Sequence, residues 1–151
     1  MGRMINIPLR GVSTPTGDAD WDVFMVATGT SFRGALHMLS LTATTTTEEF
    51  VDLALIRRAG AGSGGNAITE VAADQGNSRT PDFTATSMVT TTGATPSVLI
   101  AWQWGQRNEL LYIPTPECRE ILSESSFLAI NCTTSLGSAR TWSGFLKIEE
   151  F

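Results

Sequence analysis

The sequence predicts an all-β protein, a single antiparallel β-sandwich of jelly-roll type with about seven or eight strands. Three observations carry this. The chain has 151 residues, the size of one domain with a sizeable core. Threonine, glycine and serine are interleaved with β-branched and aromatic residues, a mixture that favours strands and turns over helices. Apolar residues recur at period two in short runs divided by turn residues, without a strong helical pattern ten residues long.

Residues 1–17, "MGRMINIPLRGVSTPTG", read as an extended arm preceding a sandwich domain over 18–151, because Pro8 and Pro15 discourage helix. Arms of this kind add a strand to a neighbour or thread over it. "WDVFMVAT" (21–28) reads as a strand. In "FRGALHMLSLTAT" (32–44) the alternation at Leu36 and Met38 slips by one residue to Leu39 and Leu41, which predicts a bulge or a crossing between sheets. "EEFVDLALIRR" (48–58) divides into Phe50, Asp52, Ala54 and Ile56 on one face and Val51, Leu53 and Leu55 on the other.

"AGAGSGGN" (59–66) has the composition of a flexible loop. It lacks the Gly-Lys-Ser/Thr ending and the following helix of a phosphate-cradling loop. The polar stretch 67–82 reads as surface, pinned by Ile68 and Val71. "DFTATSMVTTTG" (82–93) alternates through Phe83, Ala85, Ser87 and Val89, and "SVLIAWQWG" (97–105) is a core strand whose Trp102 and Trp104 share a face. "NELLYIP" (108–114), "SFLAINCTT" (126–134) and "RTWSGFLKIEEF" (140–151) supply the remaining strands, with "SLGS" between the last two as a hairpin turn. The core expected from these runs is Phe50, Leu53, Leu55, Val98, Ile100, Tyr112, Leu128, Ile130 and Phe145.

The stretch "PTPECRE" holds the one candidate for nucleophilic chemistry, Cys118. A reactive thiol needs a cationic neighbour or a histidine to lower its pKa. Here Glu117 and Glu120 flank Cys118 and Arg119, and the single histidine, His37, lies in a different apolar run. Pro114 ends a strand and Pro116 keeps the chain extended, so the stretch reads as a corner between strands. Asp18, Asp20 and Asp22 in "GDADWD" have the alternation of a calcium loop but lack its central glycine and terminal glutamate, and read as a solvated turn. No pair among fifteen acidic residues stands out as a glycosidase pair. The expectation is a protein that is not an enzyme, with no catalytic, cofactor or metal site.

The net charge of −5 argues against electrostatic capture of nucleic acid. No run approaches the roughly 18 apolar residues of a membrane span, and no signal-peptide pattern is visible. Two cysteines make no disulfide framework, so synthesis and folding in a reducing cytoplasm are expected. Lys147 is the only lysine among ten basic residues. Arginine suits contact surfaces better than lysine does, which points to interaction.

A strand ending in "ALIRR", a "GSGG" loop, the corner "YIPTPECRE" and the closing "SGFLKIEEF" together resemble small β-sandwich structural proteins of tailed bacteriophages. The matching positions are Arg57 and Arg58, Ser63 to Gly65, and Tyr112, Pro114, Pro116, Glu117 and Arg119, within residues 50–151. The resemblance implies a virion protein that decorates or cements the head surface, assembled in the host cytoplasm. Its partners would be the major capsid protein and copies of itself as a trimer, without nucleic acid or membrane. The interaction residues expected on this reading are Arg3, Arg10, Arg57, Arg58, Arg119 and Trp21. Other readings are a phage tail or adaptor component, a carbohydrate-binding jelly roll using the tryptophans and the acidic turn, and a small hydrolase.

Overall fold

The computed structural model describes residues 2–14, 20–45, 48–74, 76, 79–94 and 97–151. Twelve strands follow in chain order: β1 (Arg3–Ser13), β2 (Trp21–Thr28), β3 (Gly34–Thr44), β4 (Phe50–Arg58), β5 (Asn66–Ile68), β6 (Val71–Ala72), β7 (Phe83–Val89), β8 (Ser97–Gly105), β9 (Leu110–Tyr112), β10 (Ile121–Leu122), β11 (Phe127–Cys132) and β12 (Thr141–Glu150). Eight of these have six or more residues, and seven of them match runs legible in the sequence; the eighth, β1, lies in the stretch read as an arm. The run at 108–114 is the three-residue β9, and the other three strands are pieces of two or three residues that periodicity does not resolve.

The strands form two antiparallel sheets packed as a sandwich. The first runs β10-β3-β12-β1-β6 with β9 also on β3, and the second runs β5-β7-β2-β11-β4-β8. The chain changes sheet between β1 and β2, β2 and β3, β3 and β4, and again at β8–β9, β10–β11 and β11–β12, while β4 and β8 are neighbours. That is a winding of jelly-roll type. "SLGS" is therefore a passage from one sheet to the other and not a hairpin turn. Between β4 and β8 the chain makes a long excursion. It lays β5 on β7 and β6 on β1, extending both sheets on the side away from β8.

The expected arm over 1–17 is not what residues 3–13 form. They are β1, paired along β12 from Arg3↔Glu150 to Ser13↔Thr141, with Ile5, Ile7 and Leu9 buried. Their alternation is an ordinary strand signal. Pro8 is tolerated because β6 reaches only Ile5 and Asn6, which leaves β1 an edge strand at that point. Residues 1 and 15–17 of the expected arm lie outside the described residues.

The phase slip in β3 is a bulge: Lys147 faces Met38 and Ile148 faces Leu36, so His37 is the extra residue. The main core joins both sheets through Ile5, Ile7, Trp21, Phe24, Leu36, Leu39, Leu41, Leu53, Leu55, Ile130 and Trp142, all fully buried. Of the expected core, Leu53, Leu55, Leu128 and Ile130 are buried, and Ile100 and Tyr112 are partly buried against it. Phe50 and Val98 are not core. They lie on the outer face of the second sheet, 65% and 62% exposed. Phe145 is also outside the main core and half-buried, in the row that pairs it with Ser40 and Pro8.

Candidate functional site

Three of the six residues expected to make contacts are inside the protein. Arg58 lies along the outer face of the second sheet and grips Asp22 with two nearly parallel bonds, Nε to Oδ2 at 2.8 Å and Nη2 to Oδ1 at 2.6 Å. Its Nη1 donates to the Gly93 carbonyl, and Asn131 Nδ2 donates to both Asp22 and Asp20. Burial is the largest influence on Asp22 and raises its carboxyl above the ordinary value, against the lowering by Arg58 and Asn131. The acidic turn thus spends Asp22 on an arginine and Asp20 on an asparagine. Asp18 lies outside the described residues. Among the described residues no three potential metal ligands come together.

A second small core, Met25, Ile56, Val89 and Ala129, sits beside this network. The glycine run covers it. Gly62 donates its N–H to Met25 Sδ, Ser63 bridges to Thr91, and a side chain on Gly62 would meet Val89 and the Thr91 carbonyl at 2.4 and 2.6 Å. The stretch expected to be a flexible loop is a packed cover, and its glycines permit the close approach of two chain segments.

Arg3 is the second internal arginine. It bonds Glu150 Oε2 at 2.8 Å, while Arg79 takes the other oxygen of the same buried carboxylate. Arg3 also donates to the carbonyls of Arg79 and Thr80, and the Arg79 guanidinium lies 3.9 Å over the Phe32 ring. These contacts close one end of the sandwich. At the other end stands Trp21, fully buried and edge-on to Trp142, with centroids 5.6 Å apart. Trp104 packs on Trp142 at 5.4 Å, and Trp142 Nε1 donates to Thr14 Oγ1. Arg3, Arg58 and Trp21 are therefore structural, with partners inside the chain.

Arg10 is exposed, Arg119 is half-buried, and Arg57 is exposed with its Nη2 on Glu120 Oε2 at 3.1 Å. Arg57 and Glu120 meet at the "PTPECRE" corner, which also carries Arg119. Tyr112 pairs with Leu39 and Ile121 with Ala35, so eight residues leave and rejoin the edge of β3 where three stand opposite. A 3₁₀ turn at Pro116–Cys118 shapes the excursion and leaves Cys118 at the surface. His37 Nε2 lies 2.8 Å from Glu149 Oε2. Cys132 is buried, which pushes its thiol up to about 11 and away from reactivity.

What periodicity did not reveal is the side of the sandwich where β8 ends one sheet and β9 and β10 edge the other. Trp102 and Tyr112 meet edge-on across it at 5.4 Å. Val98, Leu111, Ile113 and Ile121 are exposed along it, each about half or more. An open groove of about 390 Å³ runs over Asp52, Ala54, Ala101 and Gln103 to Thr133. The available signal was nine consecutive residues, "SVLIAWQWG", without a charge. Neither a known protein family, nor a curated protein, nor a solved structure matches the chain. Among the described residues no helix is long and apolar enough to cross a membrane.

Proposed function

We propose that this chain is a virion structural protein that decorates the head shell and stabilises it by contact, with a major capsid protein and copies of itself as partners. One observation carries the reading. Its buried charges are paired within the chain, while the β8 and β9–β10 edges leave Val98, Leu111, Ile113 and Ile121 exposed on or beside them. A rigid body with an apolar, uncovered side suits repeated attachment to a lattice, where many modest contacts add up. Jelly rolls serve in capsid and in lectin domains, so the winding is compatible with this role without selecting it. The phage resemblance in the corner and arginine strand favours the capsid side. The test is a cryo-EM map, with mass spectrometry, of particles purified from the source that encodes the chain. Density for the sandwich on the shell is expected, and absence of the protein from the particles overturns the reading.

A carbohydrate-binding role has one observation in its favour, the open groove that presents Asp52, Gln103 and Thr133 beside Ala101. Binding on a glycan array that Gln103→Ala abolishes would establish it in place of the shell role.

A further inference from the structure

We infer that β8 is the seam of a twofold homodimer, in which the second sheets of two copies join edge to edge. The inference rests on the reading of the chain as a contact protein and names its first partner. A sheet edge carries unpaired N–H and C=O groups, and proteins blunt such edges with short strands, prolines, charges or bulges. Among the described residues the other edges are short or carry a proline or a charge. β5 and β6 are three and two residues long, and β1 beyond β6 carries Pro8 and Arg10. β9 and β10 are short, and Pro114 and Pro116 lie in the excursion between them.

β8 is nine residues long, has no charge and no proline, and pairs on one side only, with β4. Its single irregularity is at Leu99, where Ile100 and Val98 face the adjacent Leu55 and Ile56. Ile100 to Gly105 remain regular. Ala101 and Gln103, on the outer face, are exposed, and Ala101 is small enough for two backbones to approach.

A strand edge is completed by another strand, and the one open edge among the described residues with six regular residues and neither charge nor proline is the Ile100–Gly105 part of β8 itself. Two copies of the same edge pair antiparallel about a twofold axis, which closes the assembly. Charge permits this arrangement. The Ser97 end of β8 lies beside Arg57, which is paired with Glu120, and the Gly105 end lies beside Glu48, which is paired with Arg107, so each end carries both signs. Asp52 lies between them on β4, opposite Gln103 and one strand back from the seam. β8 itself has no charge to oppose its copy across the axis.

The experiment uses the full chain without any particle, so it can fail while attachment to the shell stands. Sedimentation equilibrium of the wild type should give a dimer, and Ala101→Lys, which sets like charges across the seam, should weaken it by about tenfold or more. Thermal melting of a dilute sample checks that Ala101→Lys still folds. In a Cys118→Ser background, Ala101→Cys, Gln103→Cys or the two together should give a disulfide-linked dimer under oxidation, according to register. The inference is overturned by a monomer at every accessible concentration, by a trimer, or by a dimer that neither Ala101→Lys nor the cysteine pairs affect.

Discussion

The two ends of the sandwich are closed by opposite chemistries. At one end Trp142 packs edge-on against Trp21 and tilted against Trp104, with hydrogen bonds from Trp142 to Thr14 and from Trp104 to the Asn108 carbonyl. At the other, Arg3 and Arg79 clasp one buried carboxylate, Glu150, between the first strand and the last. The aromatic end gains from area and contact, which any well-shaped apolar group supplies in part. The ionic end must first offset the loss of hydration of a carboxylate and a guanidinium, so its net contribution depends on every partner being present. The difference lies in how each end fails.

The largest effect is expected at the aromatic end. Trp142→Ala should cost about 3–5 kcal/mol in urea unfolding, because the cavity opens between two other tryptophans. A loss below about 1 kcal/mol would mean the end collapses around the gap. At the ionic end, Glu150→Leu should cost about 3 kcal/mol by leaving Arg3 buried without its carboxylate. Adding Arg3→Met to that variant should recover most of the loss, since an apolar pair of similar volume replaces a buried ion pair at little net cost. Failure of the double variant to recover would show that the Arg3 bonds to the 79–80 backbone matter more than the ion pair. The aromatic end admits no such rescue.

The Arg58–Asp22 pair sharpens the comparison through pH. Burial holds the folded Asp22 carboxyl above its ordinary value, so folded protein binds that proton more tightly than the unfolded chain. Its contribution is therefore fully present below the unfolded value, about 4, and is lost as pH rises through the folded one. Removing Arg58 removes a lowering influence and raises the folded value further. Arg58→Met should thus be penalised by about 2–3 kcal/mol at pH 7 and progressively less towards pH 4. A penalty independent of pH would place the cost in packing instead. The smallest effect belongs to the surface: Phe50→Ser should change stability by no more than about 0.5 kcal/mol.

How much of this was legible in the sequence depends on the range of the signal. Period-two runs mark seven of the eight long strands, and the slip after Met38 marks the bulge at His37, because both are local. Ile5, Ile7 and Leu9 in β1 carry the same local signal, and prolines that discourage helix do not exclude a strand. Composition points the arginines to the surface because their partners are distant, 36 residues away for Arg58 and 147 for Arg3. The glycine run looked loose because glycine is both the residue of flexible linkers and the one that fits beneath a crossing chain. Which edge stays open depends on strand order, and periodicity within a strand does not report it.

The pairing of β1 with β12 has a consequence for how the protein is made. Register from Arg3↔Glu150 to Ser13↔Thr141 ties together two strands that are far apart along the chain. Contacts of such sequence separation are slow to form and unavailable until the second strand has been made. Until residues 141–150 are made, the apolar side of residues 3–13 waits without its partner strand. Without β12, both β1 and β3 lose the strand that stands between them in the first sheet and are exposed to a chaperone or a protease. Joining the adjacent termini and reopening the chain at the 113–120 excursion would move that long wait elsewhere, and a circular permutant of this kind should fold faster than the natural order.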